Sequence, residues 1–434
     1  MPRASLARLA LAGLAGLTAG PALSQALSGA TLTAEIAQRF EADTNYNLDD
    51  PSPGTSYFAD TRVILGLLSE SDSQTFELGL DTGLRALWQA EEDFDLTYAS
   101  PTTASLGYAR EWADASFGAD FAYRAAEVDF TRTILIDADG GGVPDDLAQI
   151  DDDATEYRTD AALDLELGTD ARSSYSFSLD ATNIDYSQDA SDQVPRTTVQ
   201  GEAGWTLRLT PVLWGGLTGN YLYYDGQDDQ DTEVRIGEID AGVIYQAMPA
   251  LQLSAALGYA DRTREETVAG RRETTEDETG PTARFGVNYD LDDFQIFSEG
   301  RITTAAPKTR FQGYLSVVYP LPRATVNLRA FQTYFGDSSG DESRFTGAGI
   351  GLTRELTPVS SLGLDFQVAQ QSNQDNPAAA EVERFDASVT YSYALTEVMS
   401  ADLGYRYSQR REDPEDATGN AVFVQIGRTF ETRP

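Results

Sequence analysis

Residues 160–168, DAALDLELG, place Leu163, Leu165 and Leu167 at one set of alternate positions and Asp160, Asp164 and Glu166 at the other. Side chains of a strand switch faces at every residue, so this segment as a strand has one apolar and one charged face. TFELGLDTGLRALW repeats the pattern. Phe76, Leu78, Leu80, Thr82, Leu84, Ala86 and Trp88 share one face, while Glu77, Asp81 and Arg85 share the other with Gly79 and Gly83. Pieces of this kind, each about ten residues long, recur along the chain between turn residues. A soluble sandwich buries its apolar faces in a core. A membrane barrel turns them to lipid and its charged faces to an aqueous lumen.

The spacing between the pieces favours the barrel. Short connections (SESDSQ, TDARS, MPA, LDD, TPVS, TEV) alternate with the stretches 135–155, 188–197, 264–280, 336–343, 372–381 and 411–418, rich in Asp, Glu, Gly and Asn. Short turns at one rim and long polar loops at the other are the bacterial outer-membrane arrangement, with the long loops outside. The expected fold is all-β: a transmembrane antiparallel up-and-down β-barrel over residues 27–434, of about 20 strands, with 18 and 22 as neighbouring counts. Aromatic residues near strand ends, among them Trp88, Trp112, Trp205, Trp214, Tyr221, Tyr224, Tyr289, Tyr319, Phe335, Tyr391 and Tyr393, predict two interfacial girdles. The plainer reading is the general strand preference of Tyr.

Residues 1–26 read as a cleaved signal peptide: Arg3 and Arg8, the apolar run LALAGLAGL, then the small residues of TAGPALSQA. Cleavage after Ser24 leaves Gln25 first, and cleavage after Ala26 fits nearly as well. No later stretch approaches the roughly 20 apolar residues of a membrane helix. The chain has neither Cys nor His. That excludes a disulfide framework, Ser-His-Asp and Cys-His catalysis, and His-based metal sites. The Asp164/Glu166 pair, about 7 Å apart on one strand face, resembles a glycosidase pair. Similar pairs recur at Glu77/Asp81 and Glu238/Asp240, which makes them a property of a wall, and no enzyme is expected.

The formal charge of −39 argues against nucleic acid as a partner and for an accumulation of cations. Thirty of the 31 basic residues are Arg, Lys308 being the exception. Arg forms forked pairs with carboxylates, so either lumenal ladders or a genomic bias towards Arg accounts for the usage. The expected lumen charges are Arg85, Arg208, Arg284, Arg329 and Arg406 opposite Glu77, Asp81, Asp164, Glu166, Glu238, Asp240 and Asp386. They either set a transverse field at a constriction or keep one another neutralised. IDADGGGVPDDLAQIDDD offers Asp137, Asp139, Asp145 and Asp146 around Gly140–Gly142 as a Ca²⁺ loop. Ala148 stands where an EF-hand has its bidentate Glu, so a solvated acidic loop, held with lipopolysaccharide phosphates by divalent ions, is the alternative. No other cofactor is expected.

The last segment, NAVFVQIGRTF, alternates Val422, Val424 and Ile426, carries Gly427 and ends on Phe430. It resembles the terminal strand recognised by the outer-membrane assembly machinery, except that Glu431, Thr432, Arg433 and Pro434 follow the aromatic. Over residues 27–434 the chain resembles Gram-negative outer-membrane barrels of the porin type, in particular those associated with exopolysaccharide export. The resemblance implies the outer membrane as location, its lipid and lipopolysaccharide as surroundings, and the assembly machinery as partner. The oligomeric state stays open. The expected function is a porin-like channel for small hydrophilic solutes, preferring cations. The alternatives are an accessory barrel for exopolysaccharide export and a plugged barrel that displays acidic loops.

Overall fold

The structure, a computed structural model, describes residues 30–88, 94–97, 101–127, 155–187, 194–228, 230–268, 271–291, 294–305, 308–336, 342–374, 381–412 and 414–432. Residues 1–26, expected as a signal peptide, and Asp137, Asp139, Asp145 and Asp146 lie outside them.

In chain order the strands are β1 Thr31–Asp43, β2 Ser56–Ser71, β3 Gln74–Trp88, β4 Asp95–Thr97, β5 Thr102–Trp112, β6 Ala115–Glu127 and β7 Thr155–Leu167. There follow β8 Ser173–Tyr186, β9 Arg196–Thr210, β10 Leu213–Gly226, β11 Glu233–Met248, β12 Leu251–Val268, β13 Arg271–Leu291 and β14 Phe294–Ala305. The chain ends with β15 Lys308–Leu321, β16 Ala324–Gly336, β17 Glu342–Thr357, β18 Ser360–Asn373, β19 Val382–Thr396, β20 Met399–Glu412 and β21 Glu415–Thr432. From β2 on, each except β5 pairs antiparallel with its predecessor. β4 and β5 both pair with β3, through Arg85↔Thr97 and Asp81↔Thr103, and so form one interrupted stave. β21 pairs with β1 from Leu32↔Thr432 to Asp43↔Ala421, which closes a barrel of 20 staves. Closure leaves no edge strand, the condition for a sheet to sit in hydrocarbon.

The register keeps like faces together. Phe430, Ala34, Leu65, Leu80 and Ala104 are successive partners across β21, β1, β2, β3 and β5. This face carries the apolar residues that the fold leaves uncovered, with Leu257 73% and Ile239 69% exposed. Large exposed apolar area on a closed sheet marks contact with lipid. Tyr175, Trp205, Tyr245, Tyr319, Tyr391 and Tyr393 are exposed towards the short-turn end of their strands, and Tyr57, Trp88, Tyr157 and Tyr221 towards the other.

Two features differ from the sequence reading. Trp214 lies opposite Arg208, and Tyr224 shares its parity, so both face inward and leave the girdle. The side chain of Phe335 lies outside the described ones. Segments 264–280 and 411–418 are mostly strand: β12 and β13 run on to Val268 and Arg271, and β20 and β21 to Glu412 and Glu415. Their charged composition reads as loop, but backbone ladders carry it past the apolar belt as paired strand.

Candidate functional site

The inner wall is the candidate site. Glu77, Asp81 and Arg85 of β3, Asp164 and Glu166 of β7, Arg208 of β9, Glu238 and Asp240 of β11, Arg284 of β13, Arg329 of β16, Asp386 of β19 and Arg406 of β20 all have the parity opposite to the apolar belt. They do not form one cluster. They divide between a paired half near the long-loop rim and an open half near the short turns.

In the paired half, several arginines meet a carboxylate two residues away on the same strand. Such residues share a face, and the planar guanidinium suits the carboxylate fork. Arg158 Nε–Asp160 Oδ2 is 2.9 Å, Arg264 Nε–Glu266 Oε1 2.7 Å, Arg384 Nε–Asp386 Oδ2 3.0 Å and Arg410 Nη2–Glu412 Oε2 2.6 Å, and Arg39 pairs with Glu41 likewise. This Arg-x-Asp/Glu spacing is visible in the sequence, although Arg39, Arg158, Arg264, Arg384 and Arg410 are not among the expected residues. Other pairs cross strands. Arg85 forks onto Asp60 at 2.7 and 2.8 Å, and Arg62 donates from Nε to Asp81 Oδ1 at 2.7 Å. Arg406 reaches over β21 to Glu41 (2.9 Å) and Asp43 (3.3 Å). No local spacing signals these contacts.

The densest group lies on β11–β14. Arg284 Nε is 3.4 Å from Glu238 Oε1 and 3.1 Å from Asp240 Oδ2, and Arg301 pairs with Glu238. Thr282 Oγ1 donates to Asp240 Oδ1 at 2.8 Å. Asn220, in the amide orientation that satisfies both neighbours, donates to Glu202 and accepts from Arg284 Nη2, each at 2.7 Å. Glu238 and Asp240 are only 3% and 2% exposed. Room for these long side chains comes from small neighbours. A Cβ on Gly258 would overlap Asp240 Oδ1 and the Ile239 carbonyl oxygen.

Two inward structures narrow the long-loop mouth. Residues 44–55 fold over the β20–β2 side: Thr44 N donates to the Asn420 carbonyl (2.9 Å), Asn45 Nδ2 to the Thr418 carbonyl (3.2 Å) and Arg410 Nη1 to the Leu48 carbonyl (3.2 Å). The Tyr46 ring packs 4.7 Å from Phe58, and its hydroxyl accepts from Arg85 Nη1 at 3.4 Å. The β12–β13 hairpin approaches from the other side. Arg310 Nη1 reaches Glu278 Oε2 (2.8 Å), Arg310 Nε reaches Glu342 Oε1 (2.7 Å), and Arg262 Nη1 reaches Glu342 Oε2 (3.1 Å). The segment 135–155, expected as the inward-folding candidate, lies outside the described residues.

The open half has a different balance. Glu77, Asp120, Asp164, Glu166, Asp180 and Glu299 point inward and are exposed, and none has an ion pair among the described residues. Arg208, also exposed, sits 6.0 Å from the Trp214 ring. Arg329 borders a hollow of about 220 Å³ floored by Gly349, Gly351 and Gly363 and edged by Asp365 and Ser388. No group of three or more Asp or Glu is arranged to hold a metal among the described residues.

No family model matches the chain, and no curated protein matches it. Among solved structures it is similar to the FrpB iron transporter of Neisseria meningitidis. For the F5-1 variant apoprotein the TM-score is 0.52 at 8% identity, over 93% of this chain and 81% of that one. For the F3-3 variant the values are 0.50 and 9%, over 94% and 83%. OpdQ of Pseudomonas aeruginosa is matched over 93% of this chain and 99% of that one, with a TM-score of 0.35 at 10% identity. The FrpB likeness is one of fold. With the closed sheet, the apolar belt and the polar interior, it establishes the chain as an outer-membrane β-barrel.

Proposed function

We propose that the barrel is a channel for small hydrophilic solutes with a preference for cations. The observation that carries this reading is the surplus of exposed inward carboxylates from mid-barrel to the short turns, where Glu77, Asp120, Asp164, Glu166, Asp180 and Glu299 have as counter-charges only the exposed Arg208 and the half-buried Arg329 among the residues placed there. A barrel of this strand number encloses room for water, and fixed negative charge on its wall concentrates cations. The paired arginines further up contribute little net field, because each lies against one or two carboxylates.

The closed contacts at the mouth support a second reading, a plugged barrel that displays acidic loops. Liposome swelling separates the two. Proteoliposomes transferred to isosmotic arabinose swell if the channel reading holds. Vesicles that, like protein-free controls, do not swell in isosmotic arabinose support the plugged barrel instead.

A further inference from the structure

We infer that the β12–β13 hairpin is the size-selecting element of the channel, held across its long-loop mouth by a latch of Arg262, Glu278, Arg310 and Glu342. The inference rests on the channel reading above.

The hairpin outruns its neighbour. Pairing of β13 with β14 stops at Thr282↔Thr303, while β12 and β13 continue to pair up to Val268↔Arg271. Beyond Thr282 the hairpin is therefore held by the sheet on the β11 side alone, where pairing reaches Glu233↔Glu265. On its other side, side chains replace the missing ladder. Arg310, from β15, bridges Glu278 of the hairpin to Glu342 at the start of β17.

The Arg262–Glu342 contact fixes the direction in which the hairpin leans. β12 and β17 are five strand spacings apart, about 24 Å measured along a sheet. An Arg and a Glu cannot bridge that distance end to end, yet Arg262 Nη1 and Glu342 Oε2 are 3.1 Å apart. The hairpin must lean inward, cutting across the mouth. Burial agrees: Arg262, Glu278 and Glu342 are all less than one-tenth exposed, although they belong to the inner surface of a hollow barrel. Desolvated forked pairs of this kind are costly to break from one side, so the latch holds the closed position.

The test uses single-channel recordings in planar bilayers on four proteins: wild type, Glu278→Gln/Glu342→Gln, a hairpin-trimmed form in which Asn-Gly replaces residues 261–279, and Arg262→Cys/Glu342→Cys. The trimmed form joins the paired residues Ala260 and Gly280 through a turn suited to a two-residue hairpin. The natural chain has no Cys, so a bis-maleimide bridges only the introduced pair. Heat-modifiable gel mobility selects folded barrels for recording. The trimmed and Gln forms should conduct several-fold more than wild type and pass larger sugars in liposome swelling. The Cys form should conduct like them until cross-linked, and then fall to the wild-type level. If the trimmed barrel conducts like wild type, the hairpin does not limit the pore: the inference fails and the channel reading stands. If no form conducts, trimmed barrel included, the channel reading fails and takes the inference with it.

Discussion

Replacing Leu163 and Asp164, adjacent residues of β7, by Arg should be severe at the first position and mild at the second. Leu163 is outward and pairs with Ala119 and Leu179, while Asp164 is inward and pairs with Gly118 and Ser178. The outward positions of β7 run from Tyr157 to Leu167. Ten residues at about 3.3 Å each, tilted about 40°, span about 25 Å of height. Leu163 then lies within about 3 Å of the centre of the apolar band. Arg at mid-membrane costs about 2–4 kcal/mol, which is about a 30- to 700-fold loss in the folding constant. Arg at 164 meets lumen water and the carboxylates of Glu166 and Asp180, so a change within about 0.5 kcal/mol is expected, as for an ordinary surface site. The assay is urea titration of the barrel refolded into short-chain phosphatidylcholine vesicles, followed by tryptophan emission. Equal destabilisation at the two positions would refute the register, or the assignment of the outer face to lipid.

Four further outcomes are expected. Gly258→Val should lower the unfolding midpoint by displacing Asp240 from Arg284 and Thr282, and adding Asp240→Ala should restore part of it; no loss with Gly258→Val would contradict the packing. Arg85→Ala leaves the buried Asp60 carboxylate without its fork and should cost about 3 kcal/mol in the same titration, with Arg85→Lys between it and wild type. In single-tryptophan variants, brominated lipid should quench Trp205 and Trp88 but spare Trp214, which faces the lumen beside Arg208; equal quenching would place Trp214 in the girdle after all. Neutralising Glu77, Asp164, Glu166 and Glu299 together to Gln should shift the reversal potential towards zero and leave heat-modifiable mobility unchanged.

The alternation in β3 and β7 was enough to give the fold class, because each side chain on those strands has a clear preference for lipid or water. β10 was harder. Gly215, Gly216 and Gly219 sit on both faces, and Trp214, Leu222 and Tyr224 compete with Leu217, Tyr221 and Tyr223 for the outward side. The hairpin extension was misread for a related reason. RTREETVAGRRETTEDET has no apolar face, so its composition does not mark it as strand, and the β12–β13 ladder keeps its described residues extended. In the lumen, charged residues of β3, β7 and β11 could be picked out from their parity. Their pairing could not, because Arg406–Glu41 and Arg262–Glu342 depend on closure and on the lean of the hairpin. The Arg-x-Asp/Glu pairs were the part of the network that a local rule could have found.

The measurement that tests the central claim most directly is the reversal potential of the wild-type barrel across a KCl gradient. If exposed carboxylates line an open lumen, K⁺ is preferred at low salt. The preference then weakens as the Debye length falls from about 10 Å at 0.1 M to about 3 Å at 1 M. Chloride preference at low salt, or a folded barrel that carries no current, would contradict the account.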